Sequence, residues 1–102
     1  MIIVLGSVSV RPDGVDEALR LSLEHVRRSR AEPGCLAHGV SVDAESAQRL
    51  VFVERWASMA ALQAHFAVPA SRRFVKALSA LATEAPSMSV HDDGLPADGN
   101  AP

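Results

Sequence analysis

The chain has 102 residues, 48% of them apolar, and a formal net charge of −2. That length holds one domain around one core, and the apolar content excludes wholesale disorder. Basic residues are scattered rather than gathered into a patch, so a nucleic-acid-binding face is not expected.

Residues 2–10 read as a strand, with Ile2, Val4, Val8 and Val10 on one face and Ile3 and Leu5 on the other. No basic leader or small-residue cleavage site accompanies this apolar stretch, so it does not read as a signal peptide. Pro12, Asp13 and Gly14 break the strand, and Asp13 is the expected N-cap of a helix. From Val15 the helical spacing runs through Ala18, Leu19, Ser22 or Leu23, and Val26, leaving Glu24, His25 and Arg28 on the solvent side. Arg27, Arg28 and Arg30 fall at the helix end, where cations suit the dipole. Glu32-Pro33-Gly34 terminates it.

A second strand is expected over 35–43, with Leu36, His38, Val40 and Val42 alternating against Cys35, Ala37, Gly39 and Ser41. Asp43 to Gln48 is polar and reads as a hairpin loop. The third strand, 49–56, carries Phe52, Glu54 and Trp56 on one face and Val51, Val53 and Arg55 on the other. Ser58 caps a helix that Pro69 interrupts, and a second helical piece runs to about Ala82 with Phe74, Leu78 and Leu81 inward and Val75 beside them. Pro86 admits an edge strand through Met88 and Val90. The domain is expected to span residues 1–92, and residues 93–102, rich in Gly, Pro and Asp, to form a disordered tail.

This order is β-α-β-β-α-β, an α+β ferredoxin-like arrangement with an antiparallel sheet. Two helices cover one face of the four-stranded sheet, yet strands one and three carry large apolar residues on both faces. Leaving these wet forfeits about 1.5–3 kcal/mol each, so a homodimer is expected. The single cysteine, Cys35, excludes an internal disulfide and fits the cytoplasm. No apolar run reaches the ~18 residues of a membrane span, so no membrane partner is expected. Nine of the ten basic residues are Arg and Ala is abundant, which suggests a bacterial source.

Several side chains are candidates for chemistry. Trp56, at a strand–helix junction, is placed to wall a pocket and stack on a flat molecule. His65 and His38 are candidate bases, each weighed against a purely structural role. Leu62, Phe52, Phe66, Phe74 and Met88 complete the apolar walls. Glu54 and Arg55 point to opposite faces; Arg55 is left for the partner subunit or Glu32, and Glu54 for the pocket rim. No CxxC and no helical His pair is present, and convergence of His38, His65 and Glu54 is set aside, so no metal site is expected. Cys35 reads as packing rather than nucleophile.

The Glu32-Pro33-Gly34-Cys35 turn, Glu54-Arg55-Trp56 and Ala64-His65 at this spacing resemble the antibiotic biosynthesis monooxygenase domain family, which includes quinol monooxygenase-like proteins. The resemblance spans about residues 2–91. It implies a dimeric α+β barrel of two face-to-face sheets. It also implies oxidation of a quinol-like or polyaromatic molecule by O₂ with no cofactor, the deprotonated substrate supplying the electrons. In that scheme His65 or His38 takes the proton. Active members often place Tyr and Asn beside the Trp, whereas this chain has no Tyr and its sole Asn is Asn100. The alternative is therefore a non-catalytic dimeric barrel that binds a small apolar ligand or acts as an accessory or stress protein.

Overall fold

A computed structural model describes residues 1–96. The strands are β1 (Ile2–Ser9), β2 (Cys35–Asp43), β3 (Ser46–Trp56) and β4 (Ser87–Asp92); the helices are α1 (Val15–Ser29), α2 (Met59–Ala67) and α3 (Pro69–Leu81). The strands form one antiparallel sheet in the order β2-β3-β1-β4, the ferredoxin-like topology expected from the element order. Among the described residues no helix is long and apolar enough to cross a membrane.

Local chemistry explains most boundaries. A 3-10 turn at Pro12–Gly14 precedes α1, so Asp13 lies inside that turn and bonds Arg11 instead of capping the helix. Ser58 Oγ accepts the Ala61 N–H at 3.1 Å and opens α2 as an N-cap should. Val68 ends α2 and starts α3 in extended conformation, because Pro69 has no N–H to continue the ladder and forces the residue before it out of the helical region. The expected loop from Asp43 to Gln48 shrinks to a turn at Ala44 and Glu45. Asp43 accepts the Glu45 N–H at 2.9 Å and the Arg49 guanidinium at 2.8 Å, closing the hairpin early, so Ser46 to Gln48 are strand.

The alternation expected for β1 and β3 is observed. Ile2, Val4, Val8, Leu50, Phe52 and Trp56 are buried against the helices, while Leu5 and Val53 lie on the open face. On the inner face two apolar clusters form. Val8, Val10, Leu50 and Phe52 pack with Ala18 of α1 and Leu78 of α3 at one end. Ile2, Val4 and Trp56 pack with Leu62 of α2 at the other. The row between them is different: Glu54 of β3 stands opposite His38 of β2 on one side and Val4 of β1 on the other.

The buried line of α1 is Ala18, Ser22, His25, Val26 and Ser29, whereas Leu23 is exposed. His25 therefore departs from the solvent position expected for it. Small residues at 18, 22 and 29 let α1 approach the sheet closely, and His25 on the same line is carried inward. In the tail, the Met1 ammonium donates to the Leu95 carbonyl at 2.7 Å, and Asp92 and Asp93 accept the N–H groups of Gly94 and Leu95. The expected disorder from Asp93 onward falls partly on residues 97–102, outside the described residues.

The turn from α1 into β2 depends on Gly34, whose φ is +81°, and a Cβ built there would lie 2.6 Å from the Ala61 Cβ on α2. A side chain at this point meets both left-handed strain and a clash with a neighbouring helix. Gly34→Ala is expected to lower unfolding free energy by about 2–3 kcal/mol, measured by urea denaturation; a loss below about 0.5 kcal/mol would mean that α2 does not press on this turn.

Candidate functional site

Four polar side chains meet between the two apolar clusters, one from each of α1, β2, β3 and α2. His25, His38, Glu54 and His65 are all buried. The imidazole centroids are 5.2 Å apart for His25–His38, 5.2 Å for His25–His65 and 5.6 Å for His38–His65. Glu54 sits at the centre: its Oε1 accepts the Trp56 indole N–H at 2.9 Å and lies 3.2 Å from His38 Nε2 and 3.9 Å from His65 Nε2. Glu54 and Trp56 are two residues apart on one strand face, which is why the indole reaches the carboxylate.

Each imidazole is held differently. His65 Nδ1 is 2.9 Å from Glu32 Oε1, and since a carboxylate only accepts, Nδ1 carries the hydrogen between them and the neutral tautomer has its lone pair on Nε2. Its ring also leans on Trp56, at 4.6 Å between centroids. Arg28 donates to His25 Nδ1 at 2.9 Å, and His25 stacks on Phe74 at 4.1 Å with the rings 9° from parallel. His38 Nδ1 has no hydrogen-bond partner and its Nε2 faces Glu54 Oε1 at 3.2 Å without a directional bond, while Arg30 donates to its backbone carbonyl at 2.9 Å.

Burial in this crowd pushes the His25 pKa down to about 3, with His38, His65 and Arg28 adding repulsion, so His25 is neutral near pH 7. Burial alone would raise the Glu54 carboxyl. The contact and charge of His38, the Trp56 indole and His65 outweigh it and hold the pKa below the usual glutamate value. Burial, with Glu32 and Glu54 nearby, raises the Cys35 thiol, which disfavours the thiolate a nucleophile requires.

A cavity of about 540 Å³ opens off this cluster, reaching between α2, α3 and the β1–β4 edge. His65, Glu54 and His25 form its polar end, and Phe52, Phe66, Phe74 and Met88 line its apolar length. Gly6 helps to make this room, since it adds no side chain to the inner face opposite Phe52 and Met88.

The expected site residues therefore separate. His65, Phe52, Phe66, Phe74 and Met88 face the cavity. Trp56 and Leu62 are fully buried within one apolar cluster and do not line it; the indole reaches the site only through Glu54. His38 stands behind Glu54, also off the cavity wall. Glu54 is central rather than at the rim, and Glu32 pairs with His65, not with Arg55, which contacts Met1 Sδ. Sequence reasoning missed His25 and the role of Glu32. The serines flanking His25 along α1 marked a buried line, but serine on a helix is usually a sign of exposure.

A family model described as antibiotic biosynthesis monooxygenase matches residues 1–77. The uncharacterized protein sll1783 of Synechocystis is 36% identical over 75 residues, 74% of this chain and 51% of that relative, so the chain spans about half its length. A crystal structure of an antibiotic biosynthesis monooxygenase superposes with a TM-score of 0.85 at 32% identity, covering 90% of this chain and 97% of the other. Rv0793 from Mycobacterium tuberculosis superposes with a TM-score of 0.80 at 28% identity, covering 89% and 92%.

The buried cluster makes stability depend on acid. The unfolded chain protonates His25 near pH 6.5, whereas the native state resists until about 3. Stability is thus fully present above about pH 6.5 and declines as pH falls toward 3, by an amount on the order of a few kcal/mol. The lowered Glu54 pKa adds a loss in the same direction below its unfolded value of 4.5. The urea midpoint is expected to drop over this range in wild type and to drop less in His25→Leu; parallel pH profiles for the two proteins would refute the assignment.

Proposed function

The chain belongs to the antibiotic biosynthesis monooxygenase family, and on that premise we propose that it oxidises a quinol-like or polyaromatic molecule with O₂ in the cavity between α2, α3 and the β1–β4 edge. The observation that carries this reading is the Glu32–His65 pair. Its carboxylate orients the imidazole, leaving the Nε2 lone pair at the polar end of an otherwise aromatic cavity.

A flat substrate inserts along Phe52, Phe66 and Phe74, which exclude water and contact its ring faces. His65 Nε2 takes the acidic proton, and the Glu32 carboxylate steadies the imidazolium that forms. Removing the proton makes the substrate electron-rich enough to reduce O₂. One oxygen atom becomes a new ring carbonyl and the other leaves as water, the substrate supplying all four electrons. His25, held neutral, adds no opposing charge at that end of the cavity. His38 supports Glu54 from behind and does not reach the substrate.

We further propose that two copies pair through the open sheet face. There Ile3, Leu5, Val51 and Val53 form an apolar strip, with Leu5 46% and Val53 47% exposed. Covering such side chains is worth about 1.5–3 kcal/mol each, and a second copy offers the same strip in return.

Oxygen uptake with a panel of quinols and anthrones is expected to show turnover in wild type. It should fall by about 100-fold or more in His65→Ala and by about tenfold in Glu32→Gln. A panel with no turnover above the uncatalysed rate favours the non-catalytic, ligand-binding alternative. For the assembly, sedimentation at micromolar concentration is expected to give twice the 10.8 kDa chain mass. The double variant Leu5→Glu, Val53→Glu should sediment as a single chain, whereas a wild-type monomer would end the dimer proposal.

A further inference from the structure

His38 presents an anomaly that the proposed oxidation does not use. It is 4% exposed, its Nδ1 has no hydrogen-bond partner, and its Nε2 meets only the Glu54 carboxylate, at 3.2 Å and without the geometry of a directional bond. A buried imidazole in that condition costs stability unless something else takes its lone pair. One ring nitrogen from each of His25, His38 and His65 lies within 4.8 Å of the others. Glu54 Oε1 is 3.2 Å from His38 Nε2 and 3.9 Å from His65 Nε2.

Ligand atoms about 2.0–2.1 Å from a tetrahedral zinc stand about 3.3 Å from one another. The two Glu54 distances bracket that spacing, so closing round an ion takes small side-chain rotations. The supporting contacts have the form a metal centre needs. Glu32 holds His65 Nδ1 at 2.9 Å, a carboxylate–imidazole pair that aims the other nitrogen, and the Trp56 indole holds Glu54. Two imidazoles and one carboxylate suit zinc and its late first-row neighbours.

From this geometry we infer that His38 Nε2, His65 Nε2 and Glu54 form a binding site for a divalent ion of the zinc and cobalt class. His25 keeps its Nδ1 on Arg28 and stands beside the ligand set. His65 and Glu54 line the cavity, so the ion's open position is reached from there. The ion site does not rest on the oxidation proposed above, and an occupied site competes with that reaction, because an ion on His65 Nε2 occupies the lone pair that would receive the substrate proton.

Cobalt(II) titration of chelator-treated, refolding-free protein tests the site, with zinc as the displacing ion. The expected result is one equivalent per chain with the visible ligand-field bands of four- or five-coordinate cobalt, abolished by zinc. Affinity should fall about 100-fold or more in Glu54→Gln and His38→Ala, about tenfold in Glu32→Gln, and not at all in His91→Ala on the exposed edge strand. Circular dichroism establishes that each variant is folded; if His38→Ala is not, the two glutamate variants carry the test. A folded wild type without these bands, or equal affinity in Glu54→Gln, overturns the site. Oxygen uptake by metal-free protein is read separately, so turnover without cobalt binding removes the ion site alone, and cobalt binding without turnover removes the oxidation alone.

Discussion

The structure turns on a carboxylate placed inside the sheet's inner face. Glu54 follows Phe52 and precedes Trp56 on the buried side of β3, where strand alternation demands an inward side chain. A carboxylate there must find donors or lose its charge. It finds one in the indole N–H of the next inward residue and lies beside the imidazoles of β2 and α2. Those partners in turn constrain the elements that carry them. α2 must bring His65 close above the sheet, β2 must register His38 opposite Glu54, and the Gly34 turn must let Ala61 pass near it.

The consequence is an inner face divided into two apolar clusters with a polar band between them. A fold of this size gains most of its stability from burial, so a band of four buried polar groups is an expensive feature for which packing alone gives no reason. Its alignment with the end of an aromatic cavity supplies one. The apolar clusters anchor β1, β3 and the helices, and the band between them opens into the cavity, where Gly6 adds no side chain opposite Phe52.

The same atoms can serve more than one chemistry. His65 Nε2, freed by the Glu32 contact, is a proton acceptor in one reading and a metal ligand in the other. Both proposals depend on Glu32, and the ion site depends on Glu54 as well. Trp56 acts at one remove, through the indole that orients Glu54.

The sequence by itself determined the element order, the ferredoxin-like topology, the inward faces of β1 and β3 and the family. These follow from local periodicity, Pro and Gly punctuation and short motifs, which are properties of neighbouring residues. It also grouped Phe52, Phe66, Phe74, Met88 and His65, which share the cavity, but with them Trp56, Leu62 and His38, which do not line it. Only the tertiary structure decided which histidines meet. His25 looked exposed from its charged neighbours Glu24 and Arg28, yet the small side chains of Ala18, Ser22 and Ser29 sink that line of α1 onto the sheet. Glu32 and His65, 33 residues apart, become partners only when the turn after α1 folds beneath α2. Trp56 lies in the core rather than on the cavity wall because Leu62 and Ile2 close over it. Such pairings depend on how whole elements pack, and no periodicity along the chain encodes the distance between two helices and a sheet.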